Sequence, residues 1–237
     1  MKATKRQNKI RLENHGLASS GQSHKLKNNG LASNSQSQGK IFVISGPSGS
    51  GKTTLLTSLI QDKKIGKSLV KSCSITTRPK RSQEREAKEY FFVTLSEFRR
   101  LLKAKKILEW TKYLGYYYGT PRGPLEKQLK NGKNVGLCLD LKGARIFKKI
   151  YPHNTVTIFV LPPSLSELRE RIQNRCRQTN PQEVRRRMLL AGRELQAAEE
   201  FDYCVLNQNL LVALKELKNI FFAAQAAHRR KSNKRRV

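Results

Sequence analysis

Eight consecutive residues near the start of the chain have the types and spacing needed to hold phosphate. They fit the pattern G-x-x-x-x-G-K-[ST] and read Gly46-Pro47-Ser48-Gly49-Ser50-Gly51-Lys52-Thr53. Glycines let the backbone turn tightly, so that successive N–H groups point at one anion. Lys52 can reach the outer phosphates, and the Thr53 hydroxyl can face Mg²⁺. The motif predicts that the chain binds a nucleoside triphosphate.

The residues on both sides of this loop predict the elements that must position it. The apolar run Ile41–Ile44 precedes the loop and is typical of a buried parallel strand. After the loop, Leu55, Leu56, Leu59 and Ile60 recur at helical spacing. The N-terminus of such a helix adds partial positive charge where the phosphates would lie. Strand, loop and helix therefore occur in the required order.

Strands and helices alternate along the rest of the chain, which predicts an α/β fold of the P-loop NTPase type. Repeated alternation favours a parallel sheet covered by helices on both faces, with ligands beyond the carboxyl ends of the strands. Asp140 closes one apolar run and should lie at the same edge as the loop. The predicted strands of this five-stranded sheet are Ile41–Ile44, Leu69–Cys73, Val135–Leu139, Val156–Leu161 and Tyr203–Leu206. The predicted helices are Thr53–Gln61, Leu125–Leu129, Leu165–Ile172, Val184–Ala198 and Leu210–Ala227.

Two segments interrupt this alternation. Residues 74–122 carry most of the aromatic side chains and are predicted to form an inserted subdomain. Residues 171–187 are rich in arginine and are broken at Thr179-Asn180-Pro181. Arg171 and Arg175 are four residues apart, so both should project from one helical face.

The composition excludes several classes of protein. The chain has 237 residues, enough for one sizeable α/β domain with tails, and its hydrophobic content is 37%. No apolar stretch is long enough to span a membrane. Its four cysteines are far apart and form no C-x-x-C pair, which argues against a zinc cage or a disulfide framework and for a reducing compartment.

The net charge of +31 is concentrated partly in the two chain ends. Residues 1–39 contain seven basic residues and one acid, and residues 228–237 contain six basic residues and no acid. Residues 1–39 are also rich in Asn, Gln and Ser, and are predicted to be a disordered basic tail. Residues 228–237 are predicted to be a second basic tail. Such tails could contact nucleic acid or anionic surfaces, although a solvated charged segment is the simpler interpretation.

The order of the motifs resembles the guanylate kinase family of P-loop nucleoside monophosphate kinases. The resemblance covers about residues 40–227, nearly all of the chain outside the tails. The matching segments are the phosphate loop; Thr76-Thr77-Arg78 followed by Arg81; Tyr90-Phe91-Phe92-Val93; Glu109-Trp110; Tyr117-Tyr118-Gly119-Thr120; Leu161-Pro162-Pro163-Ser164; and Phe201-Asp202-Tyr203 leading to Asn207.

The resemblance implies a role for each matching residue. Lys52 and the loop amides would hold ATP, with Asn207 near its adenine ring. The family's arginines and tyrosines that match Arg78, Arg81, Tyr90 and Tyr118 grip the GMP phosphate, a task that suits the planar guanidinium fork. Glu109 would accept hydrogen bonds from the guanine N1–H and NH₂ groups, with Ser74 and Thr120 as hydroxyl partners, and Asp140 would also face GMP. The lid residues matching Arg171, Arg175 and Arg187 would reach over ATP and the transferred phosphoryl group.

Some residues depart from the family pattern. The family usually ends its middle strand with Asp-x-Asp, but here Cys138 replaces the first aspartate and only Asp140 remains. This loss of a carboxylate near Lys52 and the metal predicts reduced turnover or a different handling of magnesium. Cys176 replaces a glycine of the lid, and the lid is one residue longer, which weakens the alignment of Arg187. Gln83 and Ala87 stand where glycines are common, and Gln208 replaces an aspartate.

These features together predict a Mg²⁺-dependent guanylate kinase that converts ATP and GMP, and also dGMP, to ADP and the nucleoside diphosphate. Two alternatives stay open: a catalytically weak binding module of the same fold, and a related kinase for another small phosphate ester. The cytoplasm is the expected compartment, with organellar import through the basic N-terminal tail as an alternative. The sequence leaves a monomer and a homodimer equally open.

Overall fold

The computed structural model describes residues 39–174 and 180–234, and the side chains as far as residue 227. Three expectations lie outside these residues: the disordered tail before residue 39, the position of Arg175 in the lid, and the last three residues. In chain order the elements are β1 (Ile41–Ser45), α1 (Lys52–Gln61), β2 (Leu69–Lys71), β3 (Ser74–Thr76), β4 (Tyr90–Phe92), α2 (Leu95–Lys103), β5 (Ile107–Tyr113), β6 (Tyr116–Pro121), α3 (Arg122–Lys130), β7 (Asn134–Cys138), α4 (Leu141–Ile150), β8 (Thr155–Leu161), α5 (Leu165–Asn174), α6 (Pro181–Gln196), a 3₁₀ turn (Ala198–Glu200), β9 (Tyr203–Leu206) and α7 (Leu210–Lys234).

The central sheet has five parallel strands in the order β2-β7-β1-β8-β9. These are the five strands that the sequence predicts, so the expected P-loop NTPase sheet is confirmed. Strand β1 lies in the middle, where Ile41 is in register with both Val135 and Thr155. All five residues of β1 are buried, which explains why it reads as a continuous apolar run.

Helices cover both faces of the sheet because successive side chains of β1 point in opposite directions. On one face Phe42 and Ile44 pack with α1 and α7, and the Phe42 and Phe221 rings are 4.9 Å apart. On the other face Ile41 and Val43 pack with Leu125 and Leu129 of α3 and Phe147 of α4. Packing on both faces fixes the position of β1, and therefore the position of the strand end at which the phosphate loop begins.

The inserted segment forms a second sheet of four strands in the order β4-β3-β6-β5. Strands β5 and β6 are an antiparallel pair, β6 pairs antiparallel with β3, and β3 runs parallel to β4. Helix α2 covers one face of this sheet, where Phe98 packs with Ile75 and Ile107. Thr94 caps α2 by accepting a hydrogen bond from the Glu97 N–H.

Several elements differ from the sequence prediction at their ends or were missed. Helices α2 and α4 were not predicted. Only three residues, Leu69–Lys71, form the strand predicted over Leu69–Cys73. Helix α7 continues to Lys234, so residues 228–234, which the sequence assigns to the C-terminal tail, have helical backbone. Within the described residues, no helix combines the length and apolar character required to cross a bilayer.

Candidate active site

The phosphate loop leaves β1 at Gly46, and its last two residues, Lys52 and Thr53, are the first two of α1. The three glycines of the loop, Gly46, Gly49 and Gly51, have positive φ angles, which residues with a Cβ rarely adopt. A Cβ at Gly46 would lie 2.4 Å from the Val160 carbonyl oxygen, and one at Gly51 would lie 2.2 Å from Asn207 Nδ2. Glycine is therefore required at both positions by conformation and by space.

The start of α1 is prepared for an anion. Its first turn contains no acidic residue, and no side chain in the described part of the chain caps it. The N–H groups at a helix start lack intrahelical partners and carry partial positive charge, so they form a site for phosphate. Lys52 Nζ donates to the carbonyl oxygens of Gly46, at 2.6 Å, and Pro47, at 2.8 Å. These contacts keep the ammonium group beside the loop.

Asn207, the residue that follows β9, supports the loop. Its Nδ2 donates to the Ser50 carbonyl oxygen at 2.8 Å, and the residue is only 7% exposed. Its backbone carbonyl accepts hydrogen bonds from Arg171 Nη1, at 3.3 Å, and Nη2, at 3.2 Å. The family resemblance implies that Asn207 lies near the adenine ring of ATP. In the structure, Asn207 contacts the loop backbone and Arg171.

Arg187 approaches the same loop from α6. Asn180 begins this helix by accepting a hydrogen bond from the Gln182 N–H, and Pro181 occupies its first position. Arg187 is 8% exposed, pairs with Glu183, and has Nη1 3.5 Å from Ser48 Oγ. Its Nε is buried and has no hydrogen-bond partner among the described residues.

The inserted subdomain provides a second cationic site around Arg78. The guanidinium donates through Nη2 to both carboxylate oxygens of Glu84, at 2.6 and 2.9 Å, and lies 5.6 Å from the centre of the Tyr90 ring. Glu84 also accepts a hydrogen bond from the Arg81 N–H at 2.9 Å. Burial would raise the pKa of Glu84, but the hydrogen bonds from Arg78 and Arg81 outweigh it and lower that pKa. Glu84 is therefore an ionised partner of this cluster.

The Tyr90 and Tyr118 rings lie edge to face, with centroids 5.9 Å apart. Tyr118 belongs to β6 and Tyr90 to β4, so the strand order brings both next to β3 and the loop that carries Arg78. The family resemblance implies that both tyrosines bind phosphate. Both line the cleft with Arg78 and Arg81.

A buried carboxyl group lies beside this cluster. Glu109 is 4% exposed, and Thr120, which is fully buried, donates from Oγ1 to Glu109 Oε1 at 2.6 Å. Burial raises the pKa of Glu109 to about 7, although the hydrogen bond from Thr120 opposes the shift. Ser74, at the start of β3, lines the same cleft. Of the three residues that the resemblance assigns to the purine base, Glu109 and Thr120 are thus hydrogen-bonded to each other, and Ser74 lines the same cleft.

Asp140 follows β7 and is the N-cap of α4. Its Oδ1 accepts a hydrogen bond from the Gly143 N–H at 2.8 Å, which fixes the side chain at the edge of the sheet beside the loop. Two residues earlier, burial raises the pKa of the Cys138 thiol, so the thiol is neutral near Lys52 and Thr53. This position, where the family usually has an aspartate, therefore supplies no negative charge.

Glu194, Glu84 and Lys142 are residues near the cleft that the sequence interpretation missed. Burial raises the pKa of Glu194 to about 7, while Lys52 lowers it and Asp140 raises it further. Glu194 follows Arg187 by two helical turns, so this spacing could have identified it. Glu84 gave no such signal because it lies on an irregular loop. The Lys142 ammonium lies 4.8 Å from the centre of the Trp110 ring, beside Glu109.

One cleft of about 1580 Å³ contains most of these groups. This volume exceeds the roughly 300–1,000 Å³ that one small ligand usually occupies, so there is room for two nucleotides. Arg175 lies outside the described residues, and Pro47, Ser50 and Thr120 were assigned to the site but do not line the cleft. The assigned residues that line it are Gly46, Ser48, Gly49, Gly51, Lys52, Thr53, Ser74, Arg78, Arg81, Tyr90, Glu109, Tyr118, Asp140, Arg171, Arg187 and Asn207.

The donor set of the cleft is compatible with a hard divalent cation that binds mainly to phosphate. The Thr53 side chain is exposed in the cleft and offers a hydroxyl oxygen, the type of ligand that Mg²⁺ prefers. In the described part of the chain, no three His, Cys, Asp or Glu side chains form a cage for a metal ion. Magnesium at this site would therefore depend on phosphate and water oxygens for its other ligands.

Comparisons with known proteins agree with this geometry. The sequence model described as "Guanylate kinase" matches residues 38–224. The guanylate kinase of Bordetella pertussis is 43% identical over 187 residues, which cover 79% of this chain and 85% of that protein. The guanylate kinase of Trichodesmium erythraeum is 40% identical over 184 residues, covering 78% and 96%. The crystal structure of guanylate kinase from Anaplasma phagocytophilum superposes with a TM-score of 0.65 at 32% identity, covering 80% of this chain and 88% of that one.

Proposed function

This chain belongs to the guanylate kinase family and is an ATP-dependent nucleoside monophosphate kinase, and we propose that its cleft performs phosphoryl transfer through the residues described above. In the reaction, an oxygen of the GMP phosphate forms a bond to the γ-phosphorus of ATP. The bond between that phosphorus and the β,γ-bridging oxygen breaks, ADP leaves, and GDP is formed. The 2′-deoxy acceptor dGMP presents the same phosphate and base.

The phosphate loop holds the donor in this proposal. The α- and β-phosphates of ATP accept hydrogen bonds from the loop amides and the free start of α1, and Lys52 turns from the Gly46 and Pro47 carbonyls to the outer phosphates. Asn207 keeps the loop in shape through its hydrogen bond to the Ser50 carbonyl. Preorganised amides require little reorganisation as charge develops, which is the main source of electrostatic catalysis.

Arg78, Arg81, Tyr90 and Tyr118 hold the acceptor phosphate. Guanidinium and phosphate form paired hydrogen bonds, which fix both the position and the orientation of the attacking oxygen. Glu84 orients Arg78 through its two short hydrogen bonds. The phosphate therefore enters a cluster whose geometry is already set by a carboxylate.

Glu109 selects guanine over adenine. Its carboxylate can accept from both the N1–H and the NH₂ group of guanine, whereas adenine presents an acceptor at N1. An unpaired carboxylate in a buried pocket is strongly unfavourable, so the wrong base is rejected. Burial of Glu109 and its hydrogen bond from Thr120 support this role. Burial raises the pKa of Glu109 in the free protein, and the two N–H donors of bound guanine would lower it again by favouring the ionised form.

Magnesium is the proposed cofactor, with the Thr53 hydroxyl as its protein ligand. The ion neutralises charge on the β- and γ-phosphates when it is bound. Because Cys138 stands where the family usually has an aspartate, this region has one carboxylate fewer. Glu194 and Asp140 are the carboxyl groups that remain near Lys52. Arg171, Arg175 and Arg187 are proposed to neutralise the transferred phosphoryl group and to exclude water when the cleft closes.

One observation carries this proposal: the phosphate loop and the Arg78–Glu109 pocket open into the same cleft. A binding module would need only one of the two sites, and a kinase for an unrelated phosphate ester would not need a buried base-reading carboxyl group. The unpaired thiols of Cys73, Cys138 and Cys204 support the cytoplasm as the compartment.

A coupled assay of ADP release with GMP, dGMP, AMP, CMP and UMP tests the proposal. We expect turnover with GMP and dGMP, little with the other three, and turnover about 10³-fold slower with GMP for Lys52→Ala. Equal use of AMP and GMP would contradict the role of Glu109. Absence of turnover with every acceptor, in a protein that binds GMP in calorimetry, would indicate a binding module instead.

A further inference from the structure

The edge of the central sheet opposite the cleft carries a group of exposed lysines. Here the chain enters β2, β7 and β8 from helices α1, α3 and α4. Parallel strands all begin at the same edge, so these three connections are neighbours in the strand order β2-β7-β1-β8. We call the following exposed lysines the basic face: Lys63, Lys64, Lys67, Lys127, Lys130, Lys133 and Lys149.

Hydrogen bonds join the three connections into one surface. Lys133 Nζ donates to the Lys67 carbonyl oxygen at 2.8 Å, which links the entries to β7 and β2. The Gly39 N–H donates to the Leu129 carbonyl at 3.1 Å, and Asn154 Nδ2 donates to the Gly39 carbonyl at 3.2 Å. The residues before β1 therefore bridge the α3 end and the entry to β8, and the lysines belong to a continuous part of the molecule.

The acidic residues of these connections are already paired. Residues 61–68, 126–134 and 148–154 contain two acids, Asp62 and Glu126. Asp62 pairs with Lys218 of α7 at 2.7 Å, and Glu126 pairs with Arg122 at 3.2 Å. The positive charge of the basic face is thus not balanced by the carboxylates within it.

Acids at the neighbouring entry to β9 mark the limit of the face. Asp202 pairs with Lys148 and Glu200 pairs with Arg145, at the end of the sheet farthest from β2. The charge therefore changes character along this edge, from basic at β2, β7 and β8 to mixed at β9.

We propose that the basic face binds the sugar–phosphate backbone of nucleic acid without regard to base sequence. Strands lie about 4.8 Å apart, so the entries from β2 to β8 span about 14 Å. That length corresponds to about four phosphates of one strand in a duplex, at roughly 3.4 Å of axial rise each. Lysine ammonium groups act as mobile point charges, which suits contacts to backbone phosphates rather than to base edges.

Gly39, the first described residue, and helix α7 both reach this edge. Residues 1–38 join the domain at Gly39, beside the α3 end, and residues 1–39 contain seven basic residues. Helix α7 begins after the carboxyl end of β9 and passes Phe42, near the start of β1, at Phe221. Its backbone continues 13 residues farther to Lys234, which adds about 20 Å of helix.

Nucleic acid fits the basic face better than a lipid surface does. Peripheral membrane segments insert apolar side chains between the lipids beside their basic residues. The large apolar side chains exposed in the described residues belong to other parts of the molecule, such as Leu189, Leu211 and Phe222. The basic face instead combines lysines with polar connections such as Asn131-Gly132, which carry no large apolar side chain.

Fluorescence anisotropy with labelled RNA, single-stranded DNA and duplex DNA of mixed sequence tests this proposal on the full chain. We expect binding of all three, weakening steeply from about 50 to about 200 mM salt. The variant Lys64→Gln/Lys130→Gln/Lys149→Gln takes one lysine from each connection. It should bind about tenfold more weakly and lower the log–log salt slope by about 3, about 1 for each lost contact.

A matched variant on another surface distinguishes binding at the basic face from a general effect of the lost positive charge. Arg99→Gln/Arg100→Gln/Lys103→Gln removes three exposed charges from α2 and should change the affinity less than about twofold. Both variants should keep the wild-type kcat/KM for ATP and GMP, because neither set of residues lies in the cleft. A second set, Lys63→Gln/Lys67→Gln/Lys127→Gln, repeats the test if the first variant loses activity or unfolds.

Three results would overturn the proposal. The first is absence of salt-dependent binding to RNA and DNA. The second is equal weakening by the variants of the basic face and of α2. The third is binding to vesicles that contain phosphatidylserine while the oligonucleotides remain unbound, which would identify a lipid surface as the partner.

Discussion

The two ends of the cleft bind phosphate by different physical means. At the donor end, backbone N–H groups of the phosphate loop, in which only Pro47 has none, form the site with the start of α1, and the Lys52 side chain adds full charge. At the acceptor end, side chains from β3, β4, β5 and β6 and from the loop after β3 converge. A backbone site is encoded by a short continuous motif, whereas a side-chain site depends on how separate strands are paired.

The two ends also differ in what their cations contact before nucleotides bind. Lys52 donates to two neutral carbonyl oxygens, whereas Arg78 is paired with the ionised carboxylate of Glu84. A donor phosphate replaces weak neutral acceptors. An acceptor phosphate must share Arg78 with a carboxylate, so binding there depends more strongly on exact side-chain geometry. Substitutions at the donor end and at the acceptor end should therefore change different kinetic parameters.

Loss of Lys52 should have the largest effect. We expect Lys52→Ala to lower kcat by about 10³ for GMP and dGMP alike, because the ammonium acts on the donor phosphates in the transition state. Steady-state ADP release is the measurement, and Lys64→Ala, on the opposite edge of the sheet, is the control. A decrease confined to the KM for GMP would contradict the assignment of Lys52 to the donor end.

Replacement of Arg78 should act on the acceptor end alone. Arg78→Lys keeps the charge but loses the planar guanidinium group that can pair with two phosphate oxygens, so kcat/KM for GMP should fall about a hundredfold. The KM for ATP should change little. Arg145→Lys is a matched control, since Arg145 also hydrogen-bonds to both carboxylate oxygens of one glutamate, Glu200, but on the surface. An equal decrease in kcat/KM for ATP would show that the two ends of the cleft are not independent.

Replacement of Glu109 should change which base is accepted. Glu109→Gln offers an N–H donor to adenine N1 and removes one acceptor for guanine. The ratio of kcat/KM for GMP to that for AMP should therefore fall about thirtyfold. Glu126→Gln, in α3 and outside the cleft, makes the same chemical change as a control. Unchanged selectivity would require another residue to read the base.

The pH dependence of stability should report the two carboxyl groups with raised pKa values. In the unfolded chain Glu109 and Glu194 ionise near pH 4.5, but in the folded protein only near pH 7. Between these values the folded state binds more protons, so the unfolding free energy of the unliganded protein should decrease as pH rises from about 4.5 to 7. Each of Glu109→Gln and Glu194→Gln should reduce that decrease by about 1–2 kcal/mol.

Urea unfolding at several pH values measures this dependence, with Glu199→Gln as an exposed control. The prediction concerns the protein without nucleotides, because bound guanine would stabilise the ionised form of Glu109. A stability that is constant from pH 4.5 to 7 in the unsubstituted protein would show that neither carboxyl group is protonated in the folded state.

Much of the fold and the donor site could be predicted because their signals are local. The five strands of the central sheet are apolar runs, and the phosphate loop is a continuous motif. Helices α2 and α4 were missed since α2 buries only Phe98 fully, and α4 has only Ala144 and Phe147 as buried apolar residues. The pairing of Arg78 with Glu84 gave no local signal. The helical spacing places Glu194 on the same face as Arg187, but its burial depends on contacts between separate elements.

By itself, the sequence determined the order of the elements and the chemistry of the donor loop, since both follow from residues that are neighbours along the chain. Tertiary structure alone decided that Glu109 is buried beside Thr120, that Asn207 supports the loop through Ser50, and that lysines from three connections meet at one edge of the sheet. The physical reason is that burial, pKa shifts and summed charge depend on distance in space. Strand order sets those distances, and spacing along the chain does not.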